Sequence, residues 1–168
     1  MGYIFRKADM TELDGIMDIL DFARQQMLSE GKHQWDVNYP ARAHAEADIH
    51  AGTGYVMLND GKLVAYGAVV FTGEPAYDVI KGKWLSEQPY VVLHRIAVAK
   101  EARGKGIGCL FMREVERMAL GRGIRSFKID TNHDNYRMRR ALERQGFTYC
   151  GEIRYPQGVR MAYEKLLK

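Results

Sequence analysis

Apolar residues in this chain recur with two different periods, and the switches between them outline the elements. Residues 3–7 (YIFRK) read as a short strand. From Leu13 the spacing becomes helical: Leu13, Ile16, Met17, Leu20 and Met27 share one face, Asp9 or Thr11 can cap it, and Gly31 marks its end. "HQWDVNYP" (33–40) is aromatic and turn-like. "ARAHAEADIHA" (41–51) alternates as a strand would. Its alanines, with Pro40 before it and Gly52 after it, favour a helix. "GYVMLNDGKLVAYGAVVF" is a hairpin turning at Asn59-Asp60-Gly61. An irregular, aromatic-rich connection, "GEPAYDVIKGKWLSEQP", then leads into an expected strand over residues 90–98. That strand is apolar on both faces, as in a covered sheet.

The second half repeats strand and helix more regularly. A helix is expected from Gly106 to about Leu120, with Ile107, Leu110, Phe111, Val115 and Met118 as its buried stripe. "RSFKIDT" reads as a strand. Asp134 can cap a helix over 135–145, closed by Gly146. "FTYCGEI" and "RMAYEKLL" form a closing pair of strands around Pro156-Gln157-Gly158. The order predicts one α/β domain over residues 1–168, built on a mixed sheet.

Composition narrows the function classes. The chain has 168 residues, 46% hydrophobic and 27% charged, in the range of a folded globular protein. No apolar run reaches the ~20 residues of a membrane span. The first residues carry charge and no signal-peptide core, and Arg6 stands where a myristoylation signal needs Ser or Thr. A cytoplasmic setting is expected. Twenty-five basic against 21 acidic residues give a net charge of +4, which favours an anionic ligand. There is no basic block with interleaved aromatics, so neither nucleic acid nor a membrane is an expected partner. Cys109 and Cys150 have no metal or redox spacing and are expected as buried free thiols. His33, His44, His50 and His133 show no metal-ligand spacing either, so no metal is expected.

The chemistry concentrates in "ARGKGIG" (102–108), between a strand and a helix. It is not a P-loop, because four residues on from Gly104 lies Cys109, and it lacks the third glycine of the dinucleotide fingerprint. The free N–H groups and the dipole of a helix's first turn favour an anion there. Gly104, Gly106 and Gly108 remove Cβ atoms that would hold phosphate oxygens away. Arg103 and Lys105 add charge, and Ile107 anchors the helix.

The pattern Arg103-x-x-Gly106-x-Gly108 resembles the acetyl-coenzyme A loop of the GNAT N-acetyltransferases. "HRIAVAKEARGKGIG", "IDTNHDNYRMRRALERQGF" and "RMAYEKLL" are similar to that family's central strand and loop, its next strand and helix, and its last strand. The resemblance implies a GNAT-like mixed, mostly antiparallel sheet with helices on both faces and a splayed central strand pair, residues 90–98 and 126–131. It implies direct transfer of an acetyl group from acetyl-CoA to a primary amine in a ternary complex. The backbone of Ile96, Ala97 and Val98 would pair with the pantetheine arm, one of their N–H groups would polarise the thioester carbonyl, and Asn135 would contact the arm. Homodimers are common in the family.

The incoming amine must lose a proton. His94 interrupts one apolar face of the central strand and is a candidate base. A core histidine bonded to backbone is the other reading. Arg95 interrupts the opposite face and reads as an ion-pair or acceptor-site residue. The resembled family often carries an acidic tyrosine in its last helix. Aligning Gly146-Phe147 places Leu142 in that slot, while Tyr136, Tyr149 and Tyr163 lie elsewhere. The segments before the central strand supply Gln34, Trp35, Tyr39, Tyr77 and Trp84 as acceptor-site candidates, because aromatic rings can hold an amine's stem or its ammonium. The missing tyrosine keeps an alternative open: an acyl-CoA-binding regulatory module with little turnover.

Overall fold

The computed structural model describes residues 2–168. The strands are β1 (Tyr3–Lys7), β2 (Gly54–Asn59), β3 (Lys62–Val70), β4 (Lys81–Gly82), β5 (Val91–Val98), β6 (Ser126–Thr131), β7 (Thr148–Tyr155) and β8 (Gly158–Leu166). The helices are α1 (Leu13–Ser29), α2 (Arg42–His50), α3 (Ile107–Gly121) and α4 (Tyr136–Arg144). This is the expected mixed α/β fold on a mostly antiparallel sheet. The β5–β6 pairing is parallel, whereas β1–β2, β2–β3, β4–β7, β6–β8 and β7–β8 are antiparallel. Two compact units can be distinguished. One runs through Val69 and takes in His94–Glu114; the other holds Val70–Leu93 and Val115–Lys168.

In the first unit β1, β2 and β3 lie side by side. The turn at Asp60 and Gly61 has positive φ at both residues, 51° and 82°, the geometry that matches the twist of a two-residue hairpin. Asp9 caps a short 3-10 turn that opens into α1. Its carboxylate accepts from the Thr11 N–H at 2.7 Å, and the Glu12 carboxylate accepts from the Asp9 N–H at 3.0 Å. Leu13, Ile16, Met17, Ile19 and Leu20 bury the inner face of α1, while Met27 is half-buried. In α2, the His44 ring nitrogen Nδ1 accepts from the Ala41 N–H at 2.8 Å and serves as the cap. Pro40 precedes the helix instead of occupying its first turn.

In the second unit residues 91–93 of β5 lead the strand order, followed by β6, β8, β7 and β4. The β5–β6 register takes in Val91↔Phe127 and Val92↔Lys128, while β6 pairs with β8 along its whole length. The connection expected to be irregular holds a 3-10 turn, Pro75–Val79, and the edge strand β4. A two-residue strand has no period to read. It exists because Gly82 and Gly151 meet face to face with φ of 142° and 143°. A Cβ on Gly151 would stand 2.3 Å from the Lys81 carbonyl oxygen. At α4 the cap is Asn135, whose side chain accepts from the Met138 N–H at 3.4 Å, and not Asp134, which accepts from Asn132 Nδ2 at 2.8 Å. Of the two thiols expected to be buried, Cys150 is, and burial pushes its thiol up. Cys109 is half-exposed, because it falls beside the Ile107–Phe111 stripe rather than on it. Among the described residues no helix is long and apolar enough to cross a membrane.

Candidate active site

The glycine turn belongs to the first unit. The Ala99 N–H donates to the Val64 carbonyl at 2.8 Å, fixing the end of β5 beside β3. A 3-10 turn, Lys100–Ala102, follows and delivers Arg103. Gly104 and Gly106 have φ of 76° and 73°, and a Cβ on either would meet nothing within 4 Å. The backbone here is therefore both left-handed and open. Ile107 is buried and Gly108 packs 4.0 Å from a Val98 methyl, so the start of α3 is anchored. The first α-helical bond here runs from the Leu110 N–H to the Gly106 carbonyl, 3.0 Å. The N–H groups before it carry the positive end of the helix dipole. Lys105 is exposed, and the Arg103 guanidinium lies 5.6 Å from the Phe22 ring centroid. Open backbone donors beside two cations fit a pyrophosphate.

The strand leading to this turn is kinked. Arg95 has φ 56° in the middle of β5, a conformation that costs a side-chain-bearing residue about 1–2 kcal/mol. Its guanidinium spans the Asp48 carboxylate of α2, with Nε to Oδ2 at 2.9 Å and Nη2 to Oδ1 at 2.5 Å, and Nη1 donates to the Tyr39 hydroxyl at 2.9 Å. The Tyr66 hydroxyl donates to the same carboxylate at 2.5 Å. Burial alone would lower the Arg95 pKa, but the bonds to Asp48 outweigh it and the net direction is up. Burial first, then the Asp48 charge, holds the Tyr66 phenol well above the ordinary range. The kink interrupts the simple two-face alternation expected for this strand: after Val91, Val92 and Leu93, all buried, the run His94, Arg95, Ile96 is half-buried throughout. Of the acceptor candidates, Trp35 is buried, Gln34 and Tyr39 are half-buried, and Tyr39 packs edge-on to Trp35 and His44. The sequence marked Arg95 as a polar interruption; Asp48, one of two acids in an alanine-rich helix, carried no comparable signal.

The second unit holds a polar row along one face of β6. Ser126, Lys128 and Asp130 alternate onto that face. Asp130 Oδ2 accepts from the hydroxyls of Tyr77 and Tyr155 at 2.7 and 3.0 Å. Burial, then the Asp130 charge, raises both phenols. Trp84 donates its indole N–H to the Tyr77 carbonyl at 2.9 Å. The Lys128 ammonium lies over Trp84 and Tyr90, 4.3 and 4.1 Å from the ring centroids. Burial lowers its pKa against the pull of Glu164. Glu164 is fully buried and accepts from the Leu85 N–H, Ser86 Oγ and Ser126 Oγ at 2.7, 2.5 and 2.7 Å. Tyr77 is thus a buried donor to Asp130, and Trp84 a half-buried donor to the Tyr77 carbonyl. Asp130, Tyr155 and Lys128 were not anticipated, although period-two reading of "SFKIDT" puts the two charges on one face. Leu142 is fully buried. Tyr163 is buried too, and its hydroxyl accepts from Arg139 Nε at 3.2 Å, whereas Tyr136 and Tyr149 are largely exposed.

The profile of the Acetyltransferase (GNAT) family matches residues 16–147. A GNAT-family acetyltransferase from Streptococcus agalactiae is 34% identical, with a TM-score of 0.90, over 100% of this chain and 97% of that one. A GNAT-family acetyltransferase from Listeria monocytogenes shares the fold at 20% identity and a TM-score of 0.79, over 98% and 95% of the two chains. A ribosomal-protein-alanine N-acetyltransferase from Brucella melitensis shares it at 18% identity and 0.70, over 98% and 99%. No protein with a curated description matches the sequence significantly. Members of the family use acetyl-CoA as co-substrate and act on amines. By the extent of the family match, and by its identity to the streptococcal enzyme over the full length, this chain belongs to the GNAT family of acetyltransferases.

Proposed function

We propose that this protein moves the acetyl group of acetyl-CoA to a primary amine by direct attack in a ternary complex. The observation that carries the reading is the open left-handed turn at Gly104 and Gly106, set between β5 and α3 with Arg103 and Lys105 beside it. In this reading Arg103, Gly104, Lys105, Gly106, Ile107 and Gly108 hold the pyrophosphate, mainly through backbone. Ile96, Ala97 and Val98 follow the kink at Arg95 and present their amides to the pantetheine arm, one of them polarising the thioester carbonyl. Asn135 keeps the arm contact expected from the resemblance, although its side chain also caps α4. His94 takes the proton the amine gives up, directly or through water. The thiolate leaves without a tyrosine in the last-helix position, since a proton from solvent suffices. The family match runs through residues of both units, which supports a single catalytic domain. A cytoplasmic setting suits the free thiol of Cys109.

The acceptor candidates divide by exposure. In the first unit Gln34 and Tyr39 are half-buried and Trp35 is buried; in the second Trp84 is half-buried and Tyr77 is buried. One observation favours a second reading, an acyl-CoA-binding module with little turnover: Leu142, fully buried, occupies the slot of the acidic tyrosine. Release of CoA thiol across a panel of primary amines separates the two. Amine-dependent release supports the enzyme. Binding of acetyl-CoA without amine-dependent release supports the module. A rise in melting temperature with ATP and none with acetyl-CoA overturns both.

A further inference from the structure

Arg103 enters the glycine turn with a partner that takes none of its hydrogen bonds. The 3-10 turn Lys100–Ala102 packs against α1, and Ala102 is buried, so the backbone that delivers Arg103 is anchored. Among the described residues its guanidinium makes no hydrogen bond and no ion pair. It lies over the ring of Phe22 on α1, 5.6 Å from the centroid. Both residues belong to the first unit, as does the whole turn. Phe22 stands outside the buried face of α1 formed by Leu13, Ile16, Met17, Ile19 and Leu20, and it is half-buried. An aromatic face attracts a cation without occupying its N–H groups. A carboxylate in the same place would take those donors and offset the charge. Arg95, in the same unit, shows the contrast: its guanidinium is occupied by Asp48 and Tyr39. Arg103 is held with its donors open, one residue before Gly104, whose left-handed backbone is exposed.

We propose that Phe22 is a positioning residue for the donor: its ring holds the Arg103 guanidinium beside the glycine turn, with the N–H groups open to the phosphate oxygens of CoA. The planar fork of a guanidinium matches two phosphate oxygens at once. A long side chain loses rotamer freedom when a ligand immobilises it, and a ring that already restrains it removes part of that cost. Neither effect requires Phe22 to touch the ligand. Phe22 acts through Arg103, so its contribution vanishes where Arg103 is absent. The inference rests on reading the turn as the pyrophosphate site and adds to that site a residue of α1.

The test is calorimetric titration of CoA into the full chain and into four variants: Phe22→Leu, Phe22→Tyr, Arg103→Gln, and Phe22→Leu combined with Arg103→Gln. Phe22→Leu should weaken CoA binding about two- to fivefold, the range of a cation–ring contact at a partly exposed site. Phe22→Tyr keeps the ring face and should keep the affinity. In the Arg103→Gln background, Phe22→Leu should change nothing further, because residues that act through one another do not add. An unchanged CoA affinity in Phe22→Leu overturns the assignment, and so does an equal loss with and without Arg103, which is what a packing role alone would give. Phe22→Met, which loses the ring but keeps a large apolar side chain, supplies the same comparison where Phe22→Leu does not fold. CoA that fails to bind the unaltered protein overturns the donor reading, and this assignment with it; binding that ignores Phe22 overturns this assignment alone.

Discussion

Asp48 holds Arg95 in a left-handed backbone conformation at the centre of β5, through bonds of 2.9 and 2.5 Å from the two arms of one guanidinium. The pair joins α2 to the strand immediately before Ile96, and both side chains are largely shielded from water. The bidentate geometry and the Tyr66 and Tyr39 hydroxyls account for the tolerance of a buried charge here. The same contacts offset the cost of the left-handed kink.

Asp48→Ala leaves the guanidinium buried and unpaired. We expect a loss of about 3–5 kcal/mol, the usual cost of breaking a buried pair from one side, read as a fall in the urea midpoint. A change within experimental scatter would mean that the pair does not hold the kink. A folded Asp48→Asn variant should raise KM for acetyl-CoA more than it lowers kcat, because the kink sets the direction of the amides at 96–98.

The glycine turn predicts a separation of folding from binding. Gly104→Ala and Gly106→Ala meet open space, so only the backbone penalty of about 1–2 kcal/mol applies to stability. In the proposed reading each added methyl would stand in the approach of the phosphates. The variants should stay folded while the melting shift with acetyl-CoA, roughly 2.7 kcal/mol at a ligand excess of about 100 over Kd, largely disappears. A full shift in both variants would remove the turn from the donor site.

Alkaline pH should unfold the protein early. Tyr66, Tyr77 and Tyr155 all have phenols raised by burial first and by the charge of Asp48 or Asp130 next. In the unfolded chain tyrosine titrates at about 10. Below that pH the folded and unfolded states hold the same phenolic protons, and the stabilisation is complete. Above it the unfolded state releases protons that the folded state keeps, so stability falls as pH rises. The phenolate absorbance of these three tyrosines should appear together with loss of circular dichroism. Phenolate appearing in full while the fold persists contradicts the buried hydrogen-bonded tyrosines.

His94 is tested by His94→Ala with the best amine found. As the base, its loss lowers kcat by about 100-fold or more and removes the acidic limb of the pH–rate profile. An unchanged profile assigns His94 to structure, beside the kink at Arg95.

Local physics made much of this protein legible from its sequence. The Asp60-Gly61 turn, the capping by Asp9 of the 3-10 turn that opens into α1, the stripe beginning at Ile107 and the glycines of 104–108 depend on neighbours a few residues apart, and periodicity and turn chemistry report such neighbours directly. The glycine turn after β5 was readable for that reason. Asp48 meets Arg95 across 47 residues, Tyr77 meets Asp130 across 53, and Glu164 collects Leu85 and Ser86 from nearly 80 away. Each residue alone looks like an ordinary member of its helix or strand. The edge strand β4 likewise exists only because two glycines of distant segments approach closely enough to exclude a Cβ. Sequence alone determined the longer elements and the open glycine turn, since both follow from contiguous residues. The left-handed Arg95 and the oriented carboxylate of Asp130 were decided by tertiary structure, because a buried charge is tolerated only where the fold brings its partners.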